Sequence, residues 1–411
     1  MSPLQQFFDG TAEAAMALGK WVRSNGWAGY DPYDLPGYLF DCRTMGTPVS
    51  KEAEAILRRR DQDDPLGVRC ELGIAPKVNA KSMGLFLGAY CLLQDVLPGQ
   101  DYSVEVLACD EWLAQNSVSG FAGTGWGYPF NWESYVVIPA GVPTAVNSCH
   151  VGDGYRAMFK STGSVLWLER CLRISDFLLN DLNVDRVPGR GCCFSYTPID
   201  FFHVNNANLG TAEFLLWTGL EGGREEFVNA GLDALAFSLS DFDDRGALAY
   251  WAEGFEPKPD LAGFMDHYHT AAELRSLLRI CRMFPERNDV NEAFQSYFQF
   301  YLDAFFDVES RPVLRPGFDW LPFDIHAGAE AAYLLGEMLP DHPAAKEKLM
   351  VFLPWFLDSC RNADGSFIHR IEMRDGEQLV RPFPFLRWGQ AWVLRGLASV
   401  LQGIRATGEA S

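Results

Sequence analysis

Apolar positions along the chain recur with a period of 3.6 residues in two alternating kinds of segment, the pattern of amphipathic helices. One kind carries a single apolar stripe and a solvated side. These segments lie at roughly Leu4–Arg23, Val104–Asn116, Val165–Leu182, Glu225–Phe242, Asn291–Phe306 and Ala344–Arg361, and Phe294, Phe298, Tyr301, Leu302 and Phe305 trace the stripe of the fifth. The other kind opens on a polar or aromatic cluster and continues as an apolar helix rich in Ala and Gly. Its members start near Asn79, Thr144, Asn206, His269, His326 and Trp388, at steps of about 60 residues, an internal repeat.

Helices rich in small apolar residues can pack closely on both sides, so the second kind predicts an inner layer and the first an outer one. Their alternation makes six helical hairpins. Closing the hairpins into a ring removes the unsupported ends of an open array, and an open solenoid is the alternative. The predicted fold is all-α, an (α/α)6 toroid over residues 1–411 with long loops at one pole. Residues 24–78 interrupt the alternation as a long insertion or lid. Within it, the run KEAEAILRRRDQDD predicts one solvated helix.

In such a ring the inner helices run the same way. Their free N–H groups and positive dipole ends converge at one pole. The richest clusters fall there. Trp126, Tyr128, Asn131 and Trp132 precede the second inner helix; Tyr196, Asp200, His203, Asn205 and Asn206 lead into the third. Trp251, Glu253, Asp266, His267, Tyr268 and His269 lie at the fourth, Asp324 and His326 at the fifth, and Arg387, Trp388 and Gln390 at the sixth. Any one of these can be a cap or core filler. Five clusters at one pole predict a cleft, and His is the side chain suited to acid–base work near neutral pH. The candidate catalytic residues are therefore His267, His269, His326, Asp200, Glu253 and Tyr268. The remaining aromatic, amide and charged residues of the clusters are candidates for binding a sugar, whose rings stack and whose hydroxyls need donors and acceptors.

Charge narrows the partners. Asp and Glu outnumber Lys and Arg by 54 to 34, for a net charge of −20, which argues against nucleic acid or an anionic membrane surface. The 10 Cys include no CxxC or Cys/His spacing for zinc, so no metal or cofactor is expected. Free thiols point to a reducing compartment. The start lacks the pattern of a signal peptide, and Glu169, Arg170, Arg173 and Asp176 interrupt the apolar stretch Val165–Leu182. A cytoplasmic protein without a membrane span is expected.

YDPYD near Asp31, GWGYPFNW near Trp126, CFSYTPID followed by HVNNANL, a later HYHT and LRWGQAW near the end are strung along nearly the whole chain. In these motifs the chain resembles bacterial exopolysaccharide-biosynthesis proteins of the VpsJ-like family. The resemblance implies a six-hairpin glycosidase type of fold and a role in making or remodelling polysaccharide. The chain departs from the family pattern at Asn131, where Asp is usual, and in HVNNAN around His203.

Four functions compete at this level. A hydrolase needs two carboxylates, for which Asp200, Glu253, Asp266 and Asp324 are candidates, with Glu133 more remote. A lyase or epimerase acting on a sugar or uronate would use His267 or His269 as base and His326 or Tyr268 as acid. Asn205, Asn206 or Arg387 would then stabilise the anion. A non-catalytic glycan-binding or assembly protein would need only the aromatics and amides. A terpene-cyclase type of toroid would need an Asp-rich motif, and DFDD at Asp241–Asp244 reads more simply as a helix end.

Overall fold

The computed structural model describes residues 3–408 apart from 48, 134 and 136. Its α-helices, in chain order, are α1 (Pro3–Asn25), α2 (Asp34–Thr44), α3 (Lys51–Asp63), α4 (Pro65–Leu72), α5 (Ala80–Val96), α6 (Ser103–Gln115), α7 (Ala145–Thr162), α8 (Val165–Asn180), α9 (Asn205–Gly222), α10 (Glu225–Leu239), α11 (His267–Met283), α12 (Asn288–Ala304), α13 (Ile325–Met338), α14 (Pro343–Ser359) and α15 (Trp392–Ala406).

The inner helices α5, α7, α9, α11, α13 and α15 each pack on the next, and α15 packs back on α5. That last contact closes the ring, so the fold is the (α/α)6 toroid that the alternation predicts. The outer helices lie against this ring: α6 on α5, α8 between α7 and α9, α10 on α9, α12 on α11, α14 on α13, and α1 against α15 and α14. Each inner helix buries more than half of its residues. In α5 every residue from Ala80 to Leu93 is buried, whereas α12 buries only its stripe, Val290, Phe294, Tyr297, Phe298 and Tyr301.

Glycines allow the closest approaches within the ring. A Cβ on Gly84 of α5 would sit 2.6 Å from the Val151 Cα of α7, and one on Gly154 would sit 2.6 Å from the Gly84 carbonyl oxygen. Only a residue without a side chain lets these two backbones meet.

Most inner helices start on a side-chain cap that accepts an otherwise free N–H. Asn79 accepts from Lys81 at 2.9 Å, Thr144 from Asn147 at 3.0 Å, Asp266 from His269 at 3.0 Å and Asp324 from His326 at 3.0 Å. The last inner helix starts differently. A π-helical segment, Leu386–Ala391, leads into α15.

Short antiparallel pairs stiffen the loops. Val184–Val187 pairs with Gly191–Phe194, and Arg370–Arg374 pairs with Glu377–Arg381 and with Phe323–Asp324. Helices α2, α3 and α4 fall in the stretch that interrupts the alternation, and α3 buries none of its residues. No helix among the described residues is long and apolar enough to cross a membrane.

Candidate active site at the amino-terminal pole

First- and second-turn residues of the inner helices converge on one cavity, enclosing about 670 Å³ of space between the atoms with its mouth included. Lys81 comes from α5, His150 from α7, Asn206 from α9, Tyr268 and His269 from α11, and His326 and Glu330 from α13. The π-helical segment adds Arg387 and Trp388, and α15 adds Trp392. A π-helix repeats at i+5 rather than i+4, which keeps Arg387 and Trp392 on the same face. The loops complete the wall with Tyr128, Trp132, Tyr196 and Tyr250, and Tyr33 reaches in from the start of α2. An aromatic wall interrupted by a few polar groups suits a small polar ligand with flat faces.

His269 is the best-oriented acid–base group. Its Nδ1 lies 2.7 Å from the Asp266 carboxylate, whose other oxygen caps the helix. A carboxylate only accepts, so neutral His269 carries its proton on Nδ1 and leaves the Nε2 lone pair free. The rings of Tyr250 and Tyr268 flank the imidazole at 4.4 and 4.6 Å. Tyr268 also stacks on His326 at 4.6 Å, so the two imidazoles are at most twice that distance apart.

His326 is buried between Trp388 and Trp392, with ring centroids 4.5 and 4.8 Å away. Burial, reinforced by Lys81 and Arg387, drives its pKa far below the ordinary histidine range. It is therefore neutral at neutral pH and can accept or donate. Its Nε2 lies 4.0 Å from Glu330. Glu330 forms an ion pair with Arg275 of the same buried layer, and burial raises its pKa.

Lys81 is buried, and burial lowers its pKa. Its Nζ lies 5.9 Å from the centre of the Tyr128 ring. Burial pushes the Tyr128 phenol up, but Lys81 and Arg387 together outweigh it and hold the group below its usual range. Arg387 makes a two-pronged ion pair with Asp31, one bond of which is 2.8 Å. That pair fastens the segment ahead of α2 to the floor of the cavity.

Of the residues expected from the sequence, His269, His326, Tyr268, Tyr128, Trp132, Tyr196, Asn206, Arg387 and Trp388 are brought together here. The others lie elsewhere, each for a physical reason. His267 is held in the wall between α11 and α12, with Nδ1 3.1 Å from the Val313 carbonyl and Nε2 2.7 Å from the Tyr301 hydroxyl. The expectation that three histidines face one cavity is thus corrected to two of them, joined by His150. Asp200 staples its own loop, accepting from the backbone N–H groups of Tyr196 and Phe202 at 3.0 Å and from the Thr197 hydroxyl. Glu253 is exposed to solvent. Trp126 is buried in the outer wall and donates to the Leu113 carbonyl at 3.0 Å. Asn131 ties the loop to Asp41 of α2 and to the Ala140 N–H.

His203 bonds Asp185 at 3.0 Å and stacks on Phe255 at 3.8 Å, outside the cavity. Asn205 donates to Asp241 and to the Ala249 carbonyl. Trp251 backs the wall in a cluster with Ile138, Tyr196 and Val204. Asp324 accepts from the Trp388 indole at 2.8 Å and holds that ring in place from behind. Gln390 pairs with both backbone groups of Phe367, at 2.8 and 2.9 Å. Lys81, His150 and Glu330 escaped the sequence reading. The signal for each is an ionisable residue on a helix that has no solvated side.

The wall position of His267 has a measurable consequence. Burial lowers its pKa from 6.5 to about 4. Between those values the unfolded chain binds the proton that the folded one refuses, so its contribution is complete above pH 6.5 and declines as pH falls towards 4. The full effect is about 3 kcal/mol. In urea unfolding, wild type should therefore lose its stability advantage over His267→Gln as pH falls from 7 to 4. An advantage independent of pH would mean that the histidine titrates alike in the folded and unfolded chains.

No protein-family model matches the chain, and no curated protein sequence does either. Solved structures share the fold. The family 76 α-mannanase of Bacteroides thetaiotaomicron superposes with a TM-score of 0.59 at 10% identity, over 79% of this chain and 86% of that one. A sugar epimerase from a ruminal bacterium gives 0.58 at 11% identity, over 79% and 87%. The cellobiose 2-epimerase of Bacillus thermoamylovorans gives 0.56 at 8% identity, over 78% and 87%. At these identities the likeness establishes the (α/α)6 toroid fold alone.

Proposed function

We propose that this protein is a carbohydrate-active enzyme that moves a proton on a sugar held in the amino-terminal-pole cavity, by epimerase or isomerase chemistry. The observation that carries the reading is the Asp266–His269 pair, which leaves Nε2 of His269 free opposite a neutral, buried His326. His269 removes the proton from a carbon beside a carbonyl or carboxylate group. The electron pair moves onto the oxygen of that group, where Lys81, Tyr128 or His326 can stabilise it. Return of the proton to the other face gives an epimer, and its return to the neighbouring carbon gives an isomer.

Two-carboxylate hydrolysis fits less well. Glu330 is the single carboxylate lining the cavity among the described residues, and it is bound to Arg275. Hydrolysis with either stereochemical outcome needs a second carboxylate about 5–9.5 Å away. The solved structures of similar fold include both an epimerase and a mannanase, so they support sugar chemistry without choosing between these mechanisms. The resemblance of the YDPYD, GWGYPFNW and LRWGQAW motifs to those of exopolysaccharide-biosynthesis proteins supports a role in making or remodelling polysaccharide.

The test is incubation with a panel of neutral and acidic monosaccharides and disaccharides in D2O, followed by NMR. The expected result is deuterium at one carbon of at least one sugar, with the epimer or isomer appearing at a similar rate. No exchange on any sugar, with new reducing ends released from oligosaccharides, would replace this reading with the hydrolase.

A further inference from the structure

We infer that the sugar accepted by this cavity is acidic, a uronate whose carboxylate sits beside Lys81. The inference rests on the reading of the cavity as a sugar site and adds the class of sugar.

Three features of Lys81 are each unfavourable for a cation, and all three occur together. The side chain is buried, with a relative exposure of 6%. No described carboxylate lies within ion-pair distance of its amine, although the neighbouring cations do have partners: Arg387 holds Asp31 and Arg275 holds Glu330. Lys81 also stands in the first turn of α5, directly after the Asn79 cap, at the positive end of the helix dipole. A buried cation without a counter-charge is costly, and the converging N-termini of the other inner helices raise the local potential further. Asp266 keeps its negative charge beside a neutral His269, but its two oxygens are held by the α11 backbone and by Nδ1 of His269 rather than by the Lys81 amine.

A buried cation without an ion-pair partner, facing a cavity in a chain of net charge −20, is completed by one anionic group on the ligand. A neutral sugar would offer lone pairs but leave the charge uncompensated. A carboxylate supplies a single negative charge, whereas a phosphate would bring close to two. The aromatic wall of Tyr128, Trp132 and Tyr196 takes the pyranose ring, and the Tyr128 hydroxyl beside Lys81 gives the carboxylate a second partner.

Calorimetric titration of the full-length protein decides the matter. D-glucuronate, D-galacturonate and D-mannuronate are compared with glucose, galactose, mannose and glucose 6-phosphate. At least one uronate should bind about 10- to 100-fold tighter than its neutral parent, the gain expected of one charge-assisted contact. Lys81→Met should abolish that preference, so that uronate and its neutral parent bind the variant with equal affinity. Its thermal midpoint should equal or exceed that of wild type, because the substitution removes an uncompensated charge. Equal affinity for uronate and neutral sugars, tighter binding of glucose 6-phosphate, or a uronate preference that survives in Lys81→Met would overturn the inference. The wild-type comparison stands even if the variant folds poorly. A uronate preference without solvent exchange would remove the acid–base reading alone, and exchange confined to neutral sugars would remove this one alone.

Discussion

Replacing His269 by asparagine should lower kcat/KM for solvent exchange by about 10²–10⁴-fold, the range for loss of a positioned general base. Sugar affinity should change little. Asparagine can still donate to Asp266 and keep the start of α11 intact, so the loss belongs to Nε2. Asp266→Asn should cost less, because its amide can still meet the imidazole while favouring the wrong tautomer. Initial rates of deuterium incorporation, with calorimetric Kd values on the same variants, separate the two effects. A drop smaller than about threefold in His269→Asn would place the base elsewhere, since even modest general-base contributions exceed that.

The second large effect is on stability and lies at the opposite pole. The inner helices deliver Asp153 and Arg156 (α7), Glu213 (α9), Arg279 (α11) and Glu337 (α13) to a second cavity there. Arg279 is the hub. It bonds both Asp153 oxygens at 3.0 Å, both Glu337 oxygens at 2.7 and 3.1 Å, and the Tyr333 hydroxyl at 3.1 Å. Arg156 grips Glu213 with two bonds, at 2.6 and 2.9 Å. Arg279→Met leaves two carboxylates facing each other without their shared cation, and should cost about 3–5 kcal/mol of unfolding free energy.

The pH dependence supplies the control. Burial alone would raise Glu337, but Arg279 outweighs it and holds the carboxyl down from 4.5 to about 2. A depressed carboxylate stabilises the fold above its ordinary pKa and loses that contribution as pH falls through the folded value. The gap between wild type and Arg279→Met should therefore be widest above pH 4.5 and close as pH falls towards 2. Urea unfolding across this range checks both points, and a gap under about 1 kcal/mol at pH 7 would mean that the network is solvated like a surface pair.

The ring was legible in the sequence because each layer of helices carries its own pattern. The stripe from Phe294 to Tyr301 marks a helix with one buried side, and the small-residue runs after Asn79 and His326 mark helices buried all round. The cavity at the amino-terminal pole was legible from the caps and aromatics gathered at the inner-helix starts.

What could not be read was which member of each cluster faces the axis. His267 and His269 are two residues apart, which turns their side chains about 200° from each other on a helix. They cannot both face the cavity, and the pairing of Nδ1 with Asp266 identifies His269. His203 and Asn205 are engaged by Asp185 and Asp241, which come from separate segments, and no local pattern announces those contacts. Lys81 was hidden for the opposite reason. It is one charged residue in an apolar run, and its meaning depends on the absence of a carboxylate that only the assembled ring can show.

A crystal structure of His269→Asn soaked with the sugar that shows exchange or tightest binding would place the substrate directly. One sugar ring is expected in the amino-terminal-pole cavity, stacked on the aromatic wall. The carbon that loses its proton should lie about 3–3.5 Å from the side chain at position 269, as a reacting pair requires, and an acidic group should lie beside Lys81. A sugar seated in the opposite-pole cavity or on the outer surface, with the Asp266 side untouched, would contradict this placement.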